Sequence, residues 1–129
     1  MRNAVIDTNV LVSALLSPDG APSKVLDLVF GGQLKICYDS RILLEYKVVL
    51  SRQRFPFKPQ DVSVTLNEIV QRGLSVIVPS LPILFTDESD KKFYEVANFC
   101  GAYLITGNLK HFPVEPEIMS PSELLRLIL

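Results

Sequence analysis

The run Asn3-Ala4-Val5-Ile6-Asp7-Thr8-Asn9 sets a short apolar, partly β-branched segment directly against three polar residues. It reads as a buried strand closed by a polar turn, which leaves an acid, Asp7, at the strand's carboxyl end. Beyond it, the apolar residues from Val10 to Leu16 predict a helix, stopped by the turn formers Ser17-Pro18-Asp19-Gly20. A second helix is expected from about Ala21 to Phe30, closed by Gly31-Gly32, and a second strand over Leu34–Tyr38. Ser40 can then cap a helix carrying Ile42, Leu43, Glu45, Tyr46, Val49 and Leu50. Helical spacing resumes from Gln60 to Arg72, and Leu74–Val78 predicts a third strand. A helix with Phe93, Val96, Ala97 and Cys100 on one face ends at Gly101. Tyr103–Ile105 predicts a fourth strand, Ile118-Met119 a short fifth, and Pro121 opens the last helix.

Strands alternating with helices imply an α/β fold of three layers, α/β/α, with a mostly parallel central sheet of four to five strands. With 129 residues, 48% hydrophobic and 21% charged, the chain has the size and balance of one globular domain spanning residues 1–129. In open α/β sheets ligands bind beyond the carboxyl ends of the strands, and both Asp7 and Asn108 are predicted to stand there.

Several classes are set aside by the same residues. Arg, Lys, Asp or Pro interrupts every apolar run before the roughly 18 to 20 residues that a membrane-spanning helix needs. The stretch from Met1 to Asp7 meets an acid too early for a secretory signal, so a cytoplasmic protein is expected. Cys37 and Cys100 form no CxxC or Cys/His pattern and are expected to be small core residues. A formal net charge of −1 gives no global attraction to polyanions, so any contact with nucleic acid has to rest on a local patch.

Asp7, Glu45 and Asp90 are distant in sequence but fall at a strand end, inside a helix and in a helix's first turn, where they can converge on one cleft. Two carboxylates about 4 Å apart repel by roughly 4 kcal/mol at an effective dielectric near 20, a large share of a small domain's stability. A hard divalent cation such as Mg²⁺ or Mn²⁺ removes that penalty and prefers oxygen ligands. Its natural chemistry is phosphodiester hydrolysis, through an activated water and neutralised phosphate charge.

Four segments carry a more specific resemblance: Asp7-Thr8-Asn9 after the first strand; Ser40 leading to Glu45-Tyr46 and Val49-Leu50; Asp87, Asp90 and Phe93 at three-residue spacing; and Tyr103-Leu104-Ile105-Thr106-Gly107-Asn108. In this order they resemble the PIN domain family over essentially the whole chain, and within it the VapC-like ribonuclease toxins of toxin–antitoxin pairs. The resemblance implies that Asp7, Glu45 and Asp90 bind metal and that Asn9 and Thr106 support them by hydrogen bonds. Many members carry an acid where this chain has Asn108, whose amide oxygen can still coordinate Mg²⁺ or Mn²⁺. The resemblance also implies an RNA substrate, an antitoxin protein as partner, and pairing into dimers or higher oligomers.

Plainer readings stand beside each of these. Asp7-Thr8-Asn9 alone is also a common turn, and Glu45 at mid-helix also reads as a solvated acid, though Leu44 and Tyr46 flank it. Asp87 fits a helix cap and Glu88 a solvent-facing position, whereas Asp90 shares a helical face with Phe93 and Ala97. The stretch Lys47, Arg52, Arg54, Phe55, Phe57, Lys58 mixes cations with aromatics, suited either to tracking and stacking RNA or to an ordinary surface over buried rings. His111, with no sequence partner, reads as a loop residue. Two other functions compete with the nuclease: a non-catalytic PIN-like module that binds RNA or protein, and a phosphoaspartate-accepting signalling domain. The second ranks lower, because its acids belong on successive strands.

Overall fold

The computed structural model describes residues 2–129; Met1, which opens the stretch read against an export signal, lies outside them. The elements run β1 (Arg2–Ile6), α1 (Thr8–Leu16), α2 (Ala21–Phe30), β2 (Leu34–Tyr38), α3 (Ser40–Leu50), α4 (Pro59–Arg72) and β3 (Leu74–Ser75). They continue through α5 (Glu88–Cys100), β4 (Tyr103–Ile105), a 3-10 turn (Leu109–His111), β5 (Ile118–Met119) and α6 (Pro121–Ile128). The strands form a wholly parallel sheet in the order β3-β2-β1-β4-β5. This is the predicted α/β architecture, at the upper end of the expected strand number.

Parallel strands need long crossovers, and right-handed ones put successive helices on opposite faces when the strand order reverses. From β1 the chain moves outward through β2 to β3, then returns through α5 to β4 on the other side of β1. On one side α2 packs on β2, α1 and α6, while α5 packs against β1, β2 and β4. Both faces of the central strand are therefore covered, and Ala4, Val5 and Ile6 are buried in succession instead of alternately. Among the described residues no helix is long and apolar enough to cross a membrane.

Four local differences from the sequence reading have simple causes. Helix α1 begins at Thr8 and not Val10, because the Asp7 carbonyl already accepts the Val10 N–H at 3.0 Å and draws the two polar residues into the first turn. The cap of α3 is Asp39 and not Ser40: its carboxylate accepts the Ile42 N–H at 3.0 Å, which a side chain one residue later in the helix does not reach. Strand β3 stops at Ser75 instead of Val78, since its single neighbour β2 ends at Tyr38 and offers one last acceptor, to Val76 N–H at 2.9 Å. Cys37 is buried as expected, but Cys100 is half-buried and stands beside it across β2 and α5. Burial, with Cys100 adding to it, pushes the Cys37 thiol up to about 12, so it behaves as an inert core group.

At the other end of α5 the expectation holds. Asp87 caps the helix through the Ser89 N–H at 3.0 Å, Glu88 is exposed, and Gly101 closes the helix at φ +59°, a left-handed conformation suited to glycine.

Candidate active site

The strand order turns back between β1 and β4, the position at which open α/β sheets bind ligands. Register brings Ile6 level with Ile105, so the next residues, Asp7 and Thr106, leave the sheet side by side. The Asp7 N–H donates to the Ile105 carbonyl at 2.9 Å, and the Thr106 hydroxyl donates to Asp7 Oδ2 at 2.8 Å. Thr106 is wholly buried and also accepts the Asn108 N–H at 3.0 Å, which fixes its hydroxyl toward the acid.

Asp7 is 6% exposed yet receives no cation from the described residues. Burial pushes its carboxyl up to about 6 against the pull of Thr106, and the negative charges of Asp90 and Glu45 add to the rise. Three acids from β1, α3 and α5 thus share one electrostatic neighbourhood. The protein serves them unequally. Glu45 Oε1 pairs with the Lys92 ammonium at 2.7 Å while Oε2 accepts the Thr8 hydroxyl. Asp90 Oδ2 stands 3.3 Å from His111 Nδ1 without the alignment of a hydrogen bond, and burial, followed by the charge of Asp87, moves its carboxyl upward. Among the described residues no three metal-ligating side chains come close enough to grip one ion as they are arranged here.

Asp7 and Glu45 line an open cleft of about 380 Å³ together with Thr8, Asn9, Arg54 and Phe55. Asn9 Oδ1 is buried there without a hydrogen-bond partner. Asn108 is placed differently from Asp7 and Glu45: it lines an adjoining depression shared with Asn9, Ser13 and Gly107. Asp90 approaches from α5 and does not line the cleft itself.

The cationic and aromatic stretch before α4 forms one wall. Arg54 lies 4.9 Å over the Phe55 ring, and Phe55 stacks on Phe57 at 5.3 Å with 19° between the planes. Phe55, Phe57, Lys47 and Arg52 continue into a groove of about 710 Å³ beside the acidic cleft. Reasoning from the chain missed Thr8, Lys92 and His111 as neighbours of the acids. Lys92 and His111 carry no sequence signal, since their partners lie on other elements; Thr8, beside Asp7, could have been found as the hydroxyl opening α1. The flanking of Glu45 was also half misread, because Tyr46 is wholly buried but Leu44 is 61% exposed.

The chain is similar to proteins that bear on this geometry. A PIN domain family model matches residues 3–110. An uncharacterised protein of Methanocaldococcus jannaschii is 33% identical over 107 residues, covering 81% of this chain and 69% of the relative. The fold is similar to a chain in the crystal structure of VapBC2 from Rickettsia felis bound to a DNA fragment from their promoter, with a TM-score of 0.58 and 19% identity over 92% of this chain and 96% of that one. With a sheet that turns back at Asp7 and a family match running from the first strand past the fourth, this chain belongs to the PIN domain family.

Proposed function

We propose that this chain is an endoribonuclease dependent on Mg²⁺ or Mn²⁺ and the toxin component of a toxin–antitoxin pair. PIN domains are generally nucleases that use divalent metals, and the donor set beside Asp7 fits such an ion. The observation that carries the reading is the pair of buried acceptors without hydrogen bonds, Asp90 Oδ2 and Asn9 Oδ1, next to a buried carboxyl raised to about 6. Buried oxygens without donors are unfavourable unless a cation completes them, and all of these are hard ligands. Asp7, Asp90 and Glu45 would hold the ion, with Asn9 and Thr106 in support and Asn108 contributing from the adjoining depression. Bound there, Mg²⁺ or Mn²⁺ would supply Lewis acidity toward a phosphodiester.

The rest of the work falls to the chain's own residues. The Thr106 hydroxyl holds Asp7 in one orientation, and Thr8 does the same for Glu45. Arg54 is suited to a phosphate and Phe55 to an unpaired base, the combination that single-stranded RNA presents. The likeness in fold to a VapBC2 chain supports an antitoxin as partner and assembly into homodimers or higher oligomers, acting in the cytoplasm as one domain.

Asp7→Asn keeps the size and the Thr106 contact but removes the charge. Cleavage of single-stranded RNA in Mn²⁺ is expected to fall by a factor on the order of 10² or more. Equal rates for parent and variant would refute the mechanism. A non-catalytic PIN-like module that binds RNA or protein is the second reading, favoured by Glu45 being already paired with Lys92 and by Asn108 lining an adjoining depression and not the cleft itself. Calorimetry without Mn²⁺ binding, together with RNA affinity indifferent to EDTA, would select it.

A further inference from the structure

Lys92 is an unusual lysine. Its side chain is only 13% exposed, whereas lysines almost never leave water without a partner. The ammonium lies 2.7 Å from Glu45 Oε1, donates to the Ser89 carbonyl, and sits 5.0 Å from the Phe93 ring. It therefore bridges α3 and α5 at the edge of the acidic neighbourhood.

The three acids are unequal as a result. Both oxygens of Glu45 are occupied by protein donors, Lys92 on one and Thr8 on the other. Among the described residues Asp7 has one side-chain hydroxyl donor and no cation, and Asp90 has one oxygen lacking a hydrogen bond, faced by the His111 ring at 3.3 Å. The negative charge still awaiting compensation resides on Asp7 and Asp90, and a divalent ion held there meets a Glu45 already neutralised. Nuclease sites with two ions place them about 3.5 to 4 Å apart, and the Lys92 ammonium, 2.7 Å from Glu45, neutralises carboxylate charge that a second ion would otherwise neutralise.

We propose that the Lys92 ammonium is a built-in second cation of the cleft, a positioning residue that shares Glu45 with a single divalent ion and keeps a second one out. This rests on the reading of Asp7 and Asp90 as metal ligands. It also gives Lys92 two effects of opposite sign: it supports the metal-free protein by compensating Glu45, and it opposes further cations at the same carboxylate.

Mn²⁺ titrations by calorimetry on the full chain, with melting temperatures in EDTA, separate these effects. The parent is expected to bind one ion per chain. Lys92→Met is expected to melt lower in EDTA, yet to bind a second ion or to bind the first at least tenfold tighter. Lys92→Arg, which keeps the charge should the methionine variant fail to fold, is expected to retain one ion. One ion at unchanged or weaker affinity in Lys92→Met, or two ions in the parent or in Lys92→Arg, overturns the proposal. A parent that binds no Mn²⁺ instead overturns the ligand reading beneath it.

Discussion

Two acidic networks stand at the carboxyl end of this molecule's sheet, one beyond β2 and one beyond β1, and they are built to different rules. In the first, Arg41 joins Asp39 and Glu95, buried acids on the α3 cap and on α5. Every oxygen has a donor: Asp39 Oδ1 accepts Ile42 N–H and Oδ2 accepts Arg41, while Glu95 Oε1 accepts Arg41 at 2.9 Å and Oε2 accepts Leu81 N–H at 2.7 Å. Burial by itself would raise Glu95, but the Leu81 N–H and Arg41 outweigh it and hold the carboxyl below its ordinary value. In the second, Asp7, Glu45 and Asp90 are served unevenly and Asp7 is pushed up to about 6. The buried acids that tie elements together are saturated, whereas Asp7 and Asp90 keep unmet capacity, and that difference is what supports reading them as ligands and not as architecture.

The contrast can be broken at either end. Glu95→Ala would leave Arg41 and the Leu81 N–H without their acceptor, and is expected to destabilise the protein by about 2 to 4 kcal/mol, discounted because Arg41 is 45% exposed. Urea unfolding would measure it, and Mn²⁺ affinity should not change. A loss below half a kcal/mol would show that the Arg41 network is ornamental.

At the other network the sign reverses. A raised carboxyl binds its proton more tightly when folded, so ionised Asp7 opposes folding above pH 6, and this opposition fades as pH falls from about 6 toward 3.8. Asp7→Asn should therefore stabilise the metal-free protein at pH 7, by up to roughly 3 kcal/mol for a shift of about two units, and the gain should shrink near pH 4. Melting curves in EDTA across pH would register this, and a destabilised variant at pH 7 would contradict the electrostatic account. The smallest effect belongs to the wall of the cleft. Phe55→Ala is expected to weaken single-stranded RNA binding by about 1 to 3 kcal/mol while leaving Mn²⁺ affinity alone, measured by fluorescence anisotropy and calorimetry.

Much of this was legible along the chain because it is local. Alternation of Ile, Val and Leu runs with Gly and Pro stops sets the strands and helices, and Asp7 follows its strand in sequence as it does in space. Asp87 could be assigned to a cap because capping acts within three residues. The short third strand and the Asp39 cap were not legible in the same way: one depended on where the neighbouring strand ends, the other on which of two adjacent polar side chains meets the first turn.

Sequence alone determined the α/β order of elements, the family, and the acids that stand beyond strand ends or on inward helix faces, since periodicity and motif spacing are properties of neighbours in the chain. Tertiary structure alone decided how those acids are compensated. Lys92 meets Glu45 across 47 residues and His111 meets Asp90 across 21, through helix packing and loop return that no local pattern encodes. Whether a buried carboxylate is saturated or left wanting depends on donors arriving from elsewhere in the chain, and their arrival is fixed only when the layers close on the sheet.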